Sequence, residues 1–91
     1  MIGEHIRALR EANDLLLRQL AAKLDLDQAM LSKMERGERS FKSEHIDVLA
    51  KIFKQSKKDL LTMWLADKII KTMNNQKYKK EALVKAMGQI K

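Results

Sequence analysis

Apolar residues recur at helical spacing along nearly the whole chain. Ile2, Ile6 and Leu9 form a stripe that Ala12 continues, predicting a first helix that ends near Asn13–Asp14. Leu17, Leu20, Ala21 and Leu24 repeat the i, i+3, i+4, i+7 pattern of a second, two-turn helix. Asp25 and Leu26 read as a tight turn, because Asp tolerates a left-handed backbone. Asp27 then suits the N-cap of a third helix with Leu31 and Met34 on its buried side, closed by Gly37. After a loop at 38–42, Ser43 is the expected cap of a fourth helix with Ile46, Leu49, Ala50 and Phe53 inward. Ser56-Lys57-Lys58-Asp59 has the form of a capping box and opens a fifth helix reaching about Met73, where Asn74-Asn75 stop it. A sixth amphipathic helix is expected at about 77–89. Leu83, Ala86, Met87 and Ile90 share one side of it, and Lys79, Lys80 and Lys85 the other.

Composition supports an all-α reading. The 91 residues contain no proline and only three glycines, so the punctuation of a strand-rich fold is missing. A chain of this length is expected to hold one small core. With no cysteine there is no disulfide and no thiolate zinc site. The longest uncharged helical stretch is Leu60 to Ala66, far short of the ~18–20 residues of a membrane span. No secretory signal is visible, and a cytoplasmic protein is the expectation. The net charge of +7 is unevenly spread: residues 1–55 carry a net +1 and residues 56–91 a net +6. Bulk basicity alone therefore says little about the first two-thirds of the chain.

Function is suggested by the second and third helices. Two short helices joined by a three- or four-residue turn, the second capped by Asp27, make a helix-turn-helix. In that device the first helix braces across a DNA backbone and the second offers its N-terminal side chains to base edges in the major groove. Leu20, Ala21, Leu26, Leu31 and Met34 would fix the angle between them, and a side chain bulkier than Ala21 would wedge them apart.

The segment LAAKLDLDQAMLSKMERGER, with IGEHIRALRE upstream, resembles the lambda-repressor-like (Cro/repressor, XRE-type) family of bacterial and phage regulators over about residues 2–64. The run from LLLRQLAAKL through SKMERGER to DLLTMWLADKII is similar to a subgroup of small regulators, some associated with restriction–modification genes. The resemblance implies a five-helix all-α bundle, here with an added C-terminal amphipathic helix, that binds operator DNA as a two-fold symmetric dimer. The expected division is a helix-turn-helix domain at 1–66 and a basic helical extension at 67–91. No enzymatic activity and no cofactor are implied.

Carried onto this chain, the resemblance assigns base contacts to Gln28, Ala29, Ser32 and Lys33. The chemistry agrees: Gln28 can pair with adenine, Lys33 can donate to guanine acceptors, and Ala29 can touch a thymine methyl. Arg36, Arg39, Ser40, Lys42 and Ser43 form the expected phosphate rim, which positions the protein without reading sequence. Arg10 and Glu35 fall where the family pairs an arginine and a glutamate inside the fold. The chain departs from the pattern at Leu16 and Leu17, where a polar cap and a Gln-like group are usual, leaving Arg18 or Gln19 to substitute. Leu15, Leu16 and Leu17 cannot all face one core.

The fifth helix is apolar on more sides than a single core needs. Trp64, Leu65, Ile69 and Met73 are expected to contribute to a homodimer interface; alternatively the sixth helix folds back to cover them within one chain. A second class of function also fits this excess, an antitoxin-like interaction module whose C-terminal helices bind a protein partner. A weaker one lays residues 68–91 on an anionic membrane surface. His5 and His45 are isolated and lack metal-ligand spacing. The four aromatics form no stacking platform, and Met30, Met34, Met63, Met73 and Met87 read as core filler.

Overall fold

The computed structural model describes residues 1–91, and six helices account for all its regular structure. They are α1 (Ile2–Ala12), α2 (Leu17–Lys23), α3 (Gln28–Glu35), α4 (Ser43–Ile52), α5 (Lys57–Met73) and α6 (Lys79–Met87). α2 packs on α3, α1 on α3 and α5, and α4 on α5. The core between them is built from Ile2, Ile6, Leu20, Ala21, Leu24, Leu31, Met34, Phe41, Ile46, Leu49, Ala50, Phe53 and Leu60. No helix is long and apolar enough to cross a membrane.

Local chemistry explains most of the boundaries. Asp27 caps α3, its Oδ1 accepting the Met30 N–H at 2.7 Å, and Ser56 caps α5 by accepting the Asp59 N–H at 3.2 Å. Asp25 takes the left-handed conformation at φ 56° in the α2–α3 turn, and Gly37 does so at φ 80° after α3. The other four helices start without a capping side chain on the N-cap residue, and in two of them a residue inside the helix reaches back. At α2 the Gln19 Oε1 reaches back to accept the Leu16 N–H at 2.8 Å, and at α4 the His45 Nδ1 accepts the Lys42 N–H at 3.0 Å. Ser43 is therefore the first residue of α4 and not its cap, which is Lys42.

The α1–α3 contact is unusually close. A Cβ on Gly3 would stand 2.4 Å from the Met34 carbonyl oxygen and 2.6 Å from that of Glu35. Only a glycine lets the first turn of α1 lie against the backbone at the end of α3. The same turn is held from the other side by Asp67 of α5, whose Oδ2 accepts the Ile2 N–H at 3.2 Å. The Asp67 carboxylate thus sits at the positive end of the α1 dipole, beside the Met1 amino group at 3.7 Å. α5 runs unbroken across the expected division at 66/67, and Asp67 is buried against α1.

Several expected core positions are exposed. Ala12, on the expected inward stripe, is exposed at the open end of α1. Of the three leucines that cannot all face one core, Leu16 is the one turned out, 52% exposed, while Leu15 and Leu17 are half-buried. α6 is shorter than expected and buries no residue; Leu83, Ala86, Met87 and Ile90 all face solvent, so Met87 is no core filler. α6 also does not fold back over α5 as the single-chain alternative required, because Leu65, Ile69 and Ile70 remain exposed. An amphipathic stripe records that a face is apolar; it does not say what covers it.

Candidate nucleic-acid interface

The α2–α3 pair holds its geometry through Leu20, Ala21, Leu24, Leu31 and Met34, all buried, with Leu26 half-buried in the turn. Packing of Leu31 and Met34 inward fixes which side of α3 faces out. At 100° per residue, Gln28, Ala29, Ser32, Lys33 and Arg36 share the opposite side. Gln28, Ala29 and Lys33 are exposed there, and Ser32 is half-buried. All four expected base-contacting residues therefore lie on one outward face of one helix, beginning in its first turn.

Arg36 caps the far end of that face instead of standing apart on the rim. Its Nε donates to Glu38 and its Nη1 donates to the Ser32 hydroxyl. Ser32 and Arg36 thus form one hydrogen-bonded unit along α3, and Arg36 is the rim cation that already has a carboxylate partner. Sequence reading treated the two residues separately, although their i, i+4 spacing was the available signal.

The other rim residues project from the loop between α3 and α4. Arg39, Ser40, Lys42 and Ser43 are exposed, and no carboxylate pairs with Arg39 or Lys42. Arg39, Ser40 and Lys42 line an open groove with Met30 and Met34 of α3 and Lys23 of α2, on the side of α3 next to its outward face; Gln28, Ala29, Ser32 and Lys33 do not line it. Arg18 is exposed in the first turn of α2. Two anchors hold the loop. Phe41 is fully buried, worth about 1.5–3 kcal/mol of apolar transfer, and its carbonyl accepts the Trp64 Nε1–H at 2.7 Å.

Behind this surface Arg10 locks α1 to α3. Its Nε and Nη2 donate to the two Glu35 oxygens at 2.8 and 3.1 Å, and its Nη1 donates to the Leu15 carbonyl at 2.9 Å. Glu35 is only 4% exposed, so each of its lone pairs must be met from within the protein. The Glu35 hydrogen bond, with its negative charge, raises the Arg10 pKa above its ordinary value against the opposing cost of burial. A raised basic pKa stabilises the fold below the unfolded value and loses effect only as pH climbs past it. For a guanidinium that loss lies in strong alkali, so the pair is a constant brace at working pH.

Of the expected dimer residues, Leu65 and Ile69 are exposed, Met73 is half-buried, and Trp64 is half-buried against its own domain. Trp64 is thereby a strut for the loop. Asp67, His45 and Gln19 are structural polar groups; the sequence named Gln19 as one of two substitutes and His45 only as no metal ligand, and gave no sign of Asp67.

The geometry agrees with the comparison to known families. Residues 6–60, spanning α1 through the start of α5, match the helix-turn-helix family HTH_3. No curated protein and no solved structure matches the chain. A match over more than half of the residues, on a fold of helices alone with the second and third in this arrangement, makes the chain a member of the lambda-repressor-like, XRE-type helix-turn-helix family of DNA-binding regulators.

Proposed function

We propose that the protein is a sequence-specific regulator that binds a near-palindromic operator as a homodimer, each subunit reading one half-site with α3. The observation that carries this reading is the single outward face of α3 that bears Gln28, Ala29, Ser32 and Lys33, followed along the chain by the unpaired cations Arg39 and Lys42. Gln28, Ala29, Ser32 and Lys33 supply the base contacts. Arg18, Arg39, Ser40, Lys42 and the first turn of α4 at Ser43 hold phosphates. Arg36 joins the phosphate contacts by exchanging Glu38 for the DNA backbone. The dimer contact uses the stripe of Leu65, Ile69 and Met73, on the side of α5 away from its own core. Leu65 and Ile69 are 53% and 42% exposed, more than a lone small domain needs to leave open along one helix face.

Enrichment of bound duplexes from a random pool tests this directly. The expected product is a two-fold symmetric motif whose half-sites lie about one helical turn, ~34 Å, apart. A pool that yields no preferred sequence, or a single asymmetric half-site bound by one chain, refutes it.

A further inference from the structure

We propose that Lys68 and Lys71 of α5, with Arg39 and Ser40 of the α3–α4 loop, form a second phosphate-binding cleft that holds the DNA backbone beyond the groove read by α3. The inference rests on the DNA-binding reading above and extends its footprint to a helix outside the helix-turn-helix.

The loop is a ridge with two sides. On one side Arg39 and Ser40 line the groove beside α3; on the other they border, with Lys68 and Lys71, a shallow depression of about 10 Å³. It holds no more than a water, so that an anion rests on its rim and not inside it. The lysines are directed there by packing. Leu60, Trp64, Asp67 and Lys71 follow i, i+4, i+7, i+11 along α5 and share its inward side. The core ends at Asp67, so Lys71 overhangs the depression instead of entering the core. The Lys68 Nζ lies over the Trp64 ring, 4.4 Å from its centroid, while the Trp64 N–H is tied to the loop at Phe41. That chain of contacts sets the Lys68 ammonium beside the loop without a carboxylate partner.

Charge accounting favours an anion at this place. Arg39, Lys68 and Lys71 bring three positive charges to one depression, and none of them is paired. The one acid lining it, Asp67, is committed to the Ile2 N–H and the Met1 amino group. Three like charges held together repel one another, and a duplex phosphate relieves that repulsion. The Ser40 hydroxyl adds a neutral donor. The exposed apolar stripe of Leu65, Ile69 and Met73 points elsewhere around α5, so backbone contact and subunit contact do not compete for one face.

The test is the salt dependence of duplex binding by the full chain. Wild type, Lys68→Gln/Lys71→Gln, Lys68→Arg/Lys71→Arg and the charge-matched control Lys51→Gln/Lys54→Gln are each titrated on an enriched duplex and on a random-sequence duplex. The control removes equal charge at the end of α4 remote from the loop. Each lost phosphate contact flattens the slope of log K against log salt by about 0.9, which at ~0.1 M salt is about an 8-fold loss of affinity. The Gln pair is expected to flatten the slope by about 1.8 on both duplexes with an unchanged thermal melt. The Arg pair and the control should keep the wild-type slope. A Gln pair with the wild-type slope overturns the cleft while leaving operator binding intact, and so does a control that flattens as much as the Gln pair. Failure of wild type to bind any duplex removes both this cleft and the function on which it rests.

Discussion

Replacing Gly3 by Ala sets two physical effects of opposite sign against each other. Helix propensity favours alanine inside α1 by ~1 kcal/mol, so a reader of the sequence alone would expect a more stable protein. The structure reverses that expectation. The added Cβ would lie 2.4 Å from one carbonyl oxygen and 2.6 Å from the next, where ordinary contact begins near 3.4 Å. Both neighbours are backbone, so no rotamer change relieves the overlap, and α1 must withdraw from α3 by ~1 Å. Withdrawal loosens Ile2 and Ile6 in the core and stretches the Ile2 N–H to Asp67 bond. Overpacking of this kind costs typically 1–3 kcal/mol, occasionally more, and rigid backbone on both sides argues for the upper end. Set against the propensity gain, a net loss of about 1–2 kcal/mol remains. For a domain of this size that lowers Tm by roughly 4–16 °C, read by far-ultraviolet circular dichroism. Gly88→Ala is the internal control, because its Cβ would meet only ordinary contacts at 3.5 and 3.9 Å. A Gly3→Ala protein that melts at or above wild type refutes the close-approach argument.

The remaining predictions concern the brace and the reading face. Arg10→Ala should cost about 3–5 kcal/mol by stranding the Glu35 carboxylate, and Arg10→Met with Glu35→Leu should restore most of it; additive losses in melting experiments would contradict this. Lys33→Ala should relax preference at one base position, worth about 1–3 kcal/mol of discrimination, as read by repeated duplex enrichment. Lys42→Ala should instead weaken all duplexes alike and flatten the salt slope by about 1, so a change in sequence preference there would move Lys42 from the rim to the reading face.

The legible part of this protein was the part written in short-range chemistry. Asp27, Gly37 and Ser56 announce helix ends because the groups they satisfy lie within a few residues. The side of α3 that faces out was legible too, since burial of Leu31 and Met34 leaves Gln28, Ala29 and Lys33 no other place. What escaped was set by residues far apart in sequence. Asp67 bonds to an amide 65 positions away, and Gly3 is required by the backbone of residues 34 and 35. Neither leaves a local trace. The cap of α4 escaped for a different reason: His45, three residues inside the helix, supplies the bond expected of Ser43 at the boundary, whereas at α2 the bond comes from Gln19, one of the two substitutes named for the absent polar cap. In the candidate site, the Ser32–Arg36 bond has a local signal in its i, i+4 spacing, whereas the Arg36–Glu38 link and the second face of the loop depend on where the backbone turns after α3.

The link between Trp64 and the loop carries a practical consequence. This indole is the protein's single tryptophan, its ring nitrogen is bonded to Phe41, and a lysine ammonium rests on its face. Any ligand that draws Lys68 away or shifts the loop alters the polarity felt by the chromophore. The molecule therefore contains its own optical probe, one whose emission reports events at the loop without a label attached.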